Sequence, residues 1–252
     1  MSLASRARAG AKRRPPVPEA KASAPWDAAR DQQYREGLGS GAQAAYPEAL
    51  PADDVIDGRY QILSPLGRGG MGEVLRVLDL TTDRELALKR MILPDGDPRR
   101  RSAARAILRF EREFHTLASL SHPRIVRAFD YGRTDVGPYY TMELLEGEDL
   151  REVVRSRGPL GAGETCRIVR DIASALALVH ARGLVHRDLS PRNVRLVDGC
   201  AVLFDFGVLV NAGAAPNVAG TPSYVAPEMV HRQPIDGRTD LYSLGVLTYF
   251  CL

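Results

Sequence analysis

The sequence predicts an α+β fold of two lobes, rich in strands first and in helices afterwards. Two observations carry that prediction. Short segments of alternating polarity dominate residues 57–145, and long segments of helical period dominate the rest. Strands gathered ahead of helices give segregated layers, whereas interleaved βαβ units would give a parallel sheet.

Taken in order, residues 1–56 form a basic, Ala- and Pro-rich tail without sustained period. Such composition buries too little apolar surface to offset the entropy of ordering, so disorder is expected. The folded domain is expected over 57–252. Its first segments, GRYQILSPL (58–66) and EVLRVLDL (73–80), alternate as two strands around a glycine turn, and ELALKRM (85–91) reads as a third. In 99–120, Ile107, Phe110, Phe114 and Leu117 recur at helical spacing and give one apolar face. RIVRAFDYG (124–132) and GPYYTMELL (137–145) return to strand character. Residues 164–183 read as a long helix with Val169, Ile172, Leu176 and Val179 on one stripe, stopped by Gly183. Short strands and loops lead to a last helix, TDLYSLGVLTYFCL (239–252), and no internal repeat is evident.

Composition excludes several functions. Apolar residues make up 44% and charged residues 26%, the balance of an ordinary soluble domain. The net charge of +3 sits in the tail: residues 1–22 carry six basic side chains against Glu19 alone, which leaves the remainder near −2. That distribution argues against nucleic acid as a partner. Cys166, Cys200 and Cys251 are far apart and unpaired in pattern, as expected of reduced thiols in a cytoplasmic protein. The best apolar run, 241–252, is too short to span a bilayer, and with no apolar core after the basic N-terminal residues a secretory signal is not expected. Nothing in the sequence specifies an oligomeric state.

LGRGGMGEV (66–74) sets Gly67, Gly69 and Gly72 in G-x-G-x-x-G spacing. A dinucleotide site would need a helix next, and a P-loop would need Gly-Lys-Ser/Thr. The alternating EVLRVLDL favours a hairpin instead. Glycines at a hairpin tip let backbone lie close over phosphates, since no Cβ intervenes. Lys89, on the neighbouring strand, is then placed to reach them; without the loop it would read as an exposed strand-end lysine.

HRDLSPRN (186–193), DFG (205–207) and GTPSYVAPE (220–228) follow in order. Each alone reads as turn or surface. Together with the loop and Lys89 they resemble the protein kinases, over about residues 57–252, and most of all bacterial members of the eukaryotic-type Ser/Thr kinase family. The resemblance implies a two-lobed protein-kinase-like fold, with an N-lobe over about 57–142, a hinge over about 143–147 and an incomplete C-lobe over about 148–252. It also implies an enzyme that transfers the γ-phosphoryl of ATP to Ser or Thr hydroxyls of protein substrates.

Roles follow by resemblance. Leu66, Gly67, Arg68, Gly69, Gly70, Met71, Gly72, Glu73 and Val74 would cover ATP, with Val74 and Ala87 as the roof over adenine. Lys89 would grip the α and β phosphates and Glu113 would steady it. Glu111 is the rival acid, but it lies about 200° around the helix from Glu113. Met142 would gate a back pocket, and the backbone of Glu143 and Leu145 would bond the base. Asn193 and Asp205 would hold Mg²⁺, or Mn²⁺ in its place. Asp188 would be the base, and Thr221 the threonine that contacts it in Ser/Thr kinases.

Several positions depart from the family pattern. Ser190 stands where those kinases place a lysine, and Arg192, four residues after Asp188, would be the substitute cation. Arg195 replaces the aliphatic floor beneath adenine. No Ser, Thr or Tyr lies between Gly207 and Gly220, so activity is expected not to need phosphorylation there. Asp240 matches the buried acid that anchors the backbone of the His186–Asp188 turn. Glu228 should pair with an arginine in helices beyond residue 252, so the chain reads as a fragment of a longer kinase. A kinase-like binding or scaffold domain is the alternative, opposed by the retention of Lys89, Asp188, Asn193 and Asp205.

Overall fold

A computed structural model describes residues 55–69, 72–92, 101–214 and 220–252. The expected tail lies outside them, apart from its last two residues. Val55–Ile56 (β1) pairs antiparallel with the start of Tyr60–Gly69 (β2), and Ile56 is buried. Strand pairing thus begins two residues ahead of the expected start at 57.

From β2 the sheet continues through Gly72–Asp79 (β3) and Arg84–Arg90 (β4). Ala128–Arg133 (β5) and Pro138–Glu143 (β6) complete a six-stranded sheet of order β1-β2-β3-β4-β6-β5. Every pairing in it is antiparallel. Period-two alternation places Leu75 and Val77 on one face, where they join Tyr60, Ile62, Leu88 and Tyr139 in a core. Arg101–Ser119 (α1) crosses the other face and buries Phe110, Phe114 and Leu117; Ile107 packs at the edge of the same cluster.

Glu148–Asp149 (β7) opens the helical lobe. Leu150–Arg157 (α2) was not foreseen, although its signals are local: Asp149 caps it by accepting the Glu152 N–H at 2.9 Å, and Leu150 and Val153 are buried. Ala162–Ala181 (α3) is the central helix. Its buried stripe runs through Ile168, Ile172, Leu176 and Val179, with the predicted Val169 only half-buried beside it. Leu184–Val185 (β8), Val194–Val197 (β9) and Cys200–Leu203 (β10) follow, and β10-β9-β7 form a small sheet. Val210–Asn211 (β11) pairs with β8. Pro227–Val230 (α4) and Gly237–Cys251 (α5) complete the described lobe. Strand-rich and helix-rich halves stand as the predicted two lobes. One continuous core joins them, running from Phe110 and Tyr140 to Leu176 and Leu203. Among the described residues no helix is long and apolar enough to cross a membrane.

Candidate active site

The β2–β3 hairpin puts its glycines where the backbone must pass closely. Gly72 adopts φ +144°, and a Cβ there would lie 2.0 Å from the carbonyl oxygen of Arg90. A Cβ at Gly67 would meet nothing within 4 Å. Gly72→Ala is therefore expected to destabilise the domain by about 1–3 kcal/mol, whereas Gly67→Ala costs little; thermal denaturation of both variants checks this.

Between the hairpin and β6 lies a cavity of about 200 Å³, lined in part by Leu66, Gly67, Val74, Ala87, Met142 and Arg195. Glu143 and Leu145 border it, together with Val126, Leu144 and Phe204, which sequence reasoning passed over. Register explains the lining: Ala87 sits opposite Met142 and Val74 opposite Lys89. Of the other loop residues, Gly70 and Met71 lie outside those described, and Arg68, Gly69, Gly72 and Glu73 do not line the cavity. The Glu73 carboxylate is bonded to the Arg90 guanidinium across the strand, with Nε at 3.0 Å. The two side chains share one face of adjacent strands, so the ion pair forms locally.

Lys89 is the centre of the first polar group. Its Nζ donates to Glu113 Oε1 at 2.6 Å and to Asp205 Oδ1 at 3.2 Å. Glu113 faces inward from α1 and is 5% exposed, while Glu111 accepts from the Tyr131 hydroxyl at 3.0 Å on another side of the helix. Burial penalises the ammonium, but Tyr140, Asp205 and Glu113 outweigh it and raise the lysine above its ordinary range. Burial likewise pushes the Asp205 carboxyl up, and the Lys89 charge and hydrogen bond pull it further down. Both groups stay ionised at neutral pH. Sequence reasoning missed Tyr140, whose hydroxyl donates to the same Glu113 oxygen at 2.8 Å. Its signal was available: Tyr140 lies two residues before Met142 and so on the same face of β6.

Asp188 is the centre of the second group. Its Oδ1 accepts the Thr221 N–H at 2.8 Å and the Thr221 hydroxyl at 2.9 Å, and its carbonyl accepts from Asn193 Nδ2 at 2.8 Å. Asp188 Oδ2 has no partner among the described residues. The turn is held from below by Asp240, wholly buried, which accepts the N–H groups of His186 and Arg187 at 2.9 Å each. Arg187 carries φ 69° and Asp205 φ 63°, left-handed conformations that the packing must hold in place.

The departures are equally placed. Ser190 is buried, and its Oγ has no hydrogen-bond partner among the described residues. Arg192 is exposed on a 3₁₀ turn, Pro191–Asn193, and is drawn into neither polar group. Arg195 donates to the Leu145 carbonyl at 3.0 Å and lies 5.6 Å from the Phe204 ring centroid, so its cation walls the cavity. Glu228 accepts from the Thr239 hydroxyl at 2.6 Å.

As for a metal, the donor set fits a hard cation. Asn193 uses its amide nitrogen on the Asp188 carbonyl, which leaves its oxygen as the coordinating end, and Asp205 supplies a carboxylate. No three His, Cys, Asp or Glu side chains among the described residues form a metal cluster. Two oxygen donors without a protein cage suit a cation that keeps phosphate and water ligands.

A family model described as "Protein kinase domain" matches residues 60–252. The chain belongs to the protein kinase family. This kinase domain is 38% identical over 211 residues to serine/threonine-protein kinase pkn2 of Myxococcus xanthus, covering 79% of the chain and 25% of that protein. It is 37% identical over 202 residues to PknL of Mycobacterium tuberculosis, with 77% and 49% covered. To PknB of Mycolicibacterium smegmatis it is 34% identical over 209 residues, with 77% and 32% covered. The chain thus spans between a quarter and a half of the length of these curated relatives.

Proposed function

We propose that the chain carries the catalytic site of an ATP-dependent serine/threonine protein kinase, working in the cytoplasm on protein substrates. One observation carries this reading: Lys89, on β4, bridges Glu113 and Asp205, residues brought from 24 and 116 positions away. A half-buried lysine held between two acids, one buried and one exposed, has little structural purpose, since apolar packing would stabilise as well. The same arrangement suits a phosphate grip. The three free cysteines accord with a reducing compartment.

In this reading Val74, Ala87 and Met142 enclose adenine and the hinge backbone bonds its edge. Asn193 and Asp205 would hold Mg²⁺, which when bound neutralises charge on the phosphates and aligns them. Thr221 holds Asp188 by one oxygen, and the other accepts the proton of the substrate hydroxyl. The hydroxyl oxygen forms a bond to the γ-phosphorus as the bond from that phosphorus to the bridging oxygen breaks, and ADP leaves with the electron pair. Alignment and charge stabilisation supply most of the acceleration.

Arg192 is the nearest cation in sequence to the position that Ser190 leaves uncharged. Arg192→Ala is expected to lower kcat roughly 10²- to 10³-fold with a smaller change in KM for ATP, as when one transition-state donor is removed. Arg192→Lys should recover part of the loss, and an Arg192→Ala enzyme with unchanged kcat would exclude the role. The function itself is tested by assaying a full-length protein containing this domain on a generic protein substrate, followed by identification of the phosphorylated side chains. Equal incorporation by the parent and by Asp188→Ala would reject it.

A further inference from the structure

We infer that Tyr140, seconded by Tyr131, is a positioning residue that holds α1 against the sheet, so that the Lys89–Glu113 pair forms without a phosphate between Gly207 and Gly220. The inference rests on the phosphoryl-transfer reading for its consequence, but its structural basis is independent of it.

Glu113 Oε1 accepts two hydrogen bonds, from Lys89 at 2.6 Å and from the Tyr140 hydroxyl at 2.8 Å. Tyr140 is 1% exposed. Its ring packs on Phe110 and Phe114 of the same helix, at centroid distances of 5.1 and 5.9 Å. Its phenol is held above its ordinary range, first by burial, and so stays a donor. Outward movement of α1 would carry Glu113 away and leave that hydroxyl in an apolar core with no acceptor.

Tyr131 repeats the contact on another side of α1. Its hydroxyl donates to Glu111 at 3.0 Å, and its ring lies 5.4 Å from Phe114. Glu111 and Glu113 lie about 200° apart around the helix, so the two phenols oppose rotation in either sense.

A lock of this kind has a reason to exist here. No Ser, Thr or Tyr lies between Gly207 and Gly220, so hydroxyl phosphorylation cannot add ordering charge there. The Arg187 guanidinium is already engaged by the Val208 carbonyl.

Tyr140→Phe removes the hydroxyl and keeps the ring. Amide hydrogen exchange on the 252-residue chain is expected to rise about tenfold across residues 105–117, since a hydrogen bond to a charged group contributes roughly that factor or more. Exchange in α3 and α5 should stay unchanged. Tyr139→Phe is the control, because its hydroxyl donates to Asp57 at 2.7 Å and touches nothing on α1. In an active full-length protein, Tyr140→Phe should lower kcat about tenfold and Tyr139→Phe should not. Wild-type exchange in α1 of Tyr140→Phe, or a rise shared evenly with Tyr139→Phe, would overturn the inference. Exchange decides it even if the parent transfers no phosphate, an outcome that would reject the kinase reading alone.

Discussion

Asp188→Ala and Asp188→Asn are both expected to lower the rate of phosphoryl transfer by about 10²–10⁴-fold, the range for a positioned base. The two differ in what else they disturb. The asparagine side chain keeps an oxygen for the Thr221 N–H and hydroxyl, which Asp188 accepts at 2.8 and 2.9 Å. Alanine at the same position releases both. Asp188→Asn should therefore unfold within about 3 °C of the parent, a shift worth roughly 1 kcal/mol in a domain of this size. Steady-state kinetics beside a melting curve separates loss of the base from loss of the fold. A parent-like turnover for Asp188→Asn would remove Asp188 from the chemistry.

The largest loss of stability is expected from Asp240→Ala, about 3–5 kcal/mol, as when one partner of a buried charged network is removed. Asp240 is wholly buried and accepts from His186 N–H, from Arg187 N–H, and shares a 2.7 Å hydrogen bond with His180 Nε2. Truncation strands two backbone donors where water does not reach. It also frees Arg187 from its left-handed conformation at φ 69°, and Asp188 is the next residue. Stability and activity should thus fall together, with the melting midpoint lower by about 10 °C. A midpoint within about 3 °C of the parent would show that the turn is held by other contacts.

Tyr140 makes the site more than a set of motif residues. The phosphate grip depends on where α1 sits, and two phenols together with Phe110 and Phe114 set that position. In a chain with no Ser, Thr or Tyr between Gly207 and Gly220, packing takes the place of a regulated charge there.

Much of this was legible in the residues alone. Period-two alternation in 73–80, helical spacing in 107–117 and the glycine pattern before Val74 named elements and lobes, because local backbone preference and one-sided burial leave their period in the sequence. The ordered motifs around Lys89, Asp188, Asn193 and Asp205 pointed to phosphate chemistry through their resemblance to the protein kinases. Other features depend on partners far along the chain and leave no such period. Whether Ile56 is tail or strand depends on a place under β2. Glu73 turned out to be engaged by Arg90, Arg195 by the Leu145 carbonyl, and Glu228 by Thr239. That Tyr140 shares an oxygen of Glu113 with Lys89 required β4, β6 and α1 to meet. Local sequence determined which groups are present and which segments carry them; tertiary packing decided which donor meets which acceptor, because a buried polar group must take whatever partner the fold brings within about 3 Å.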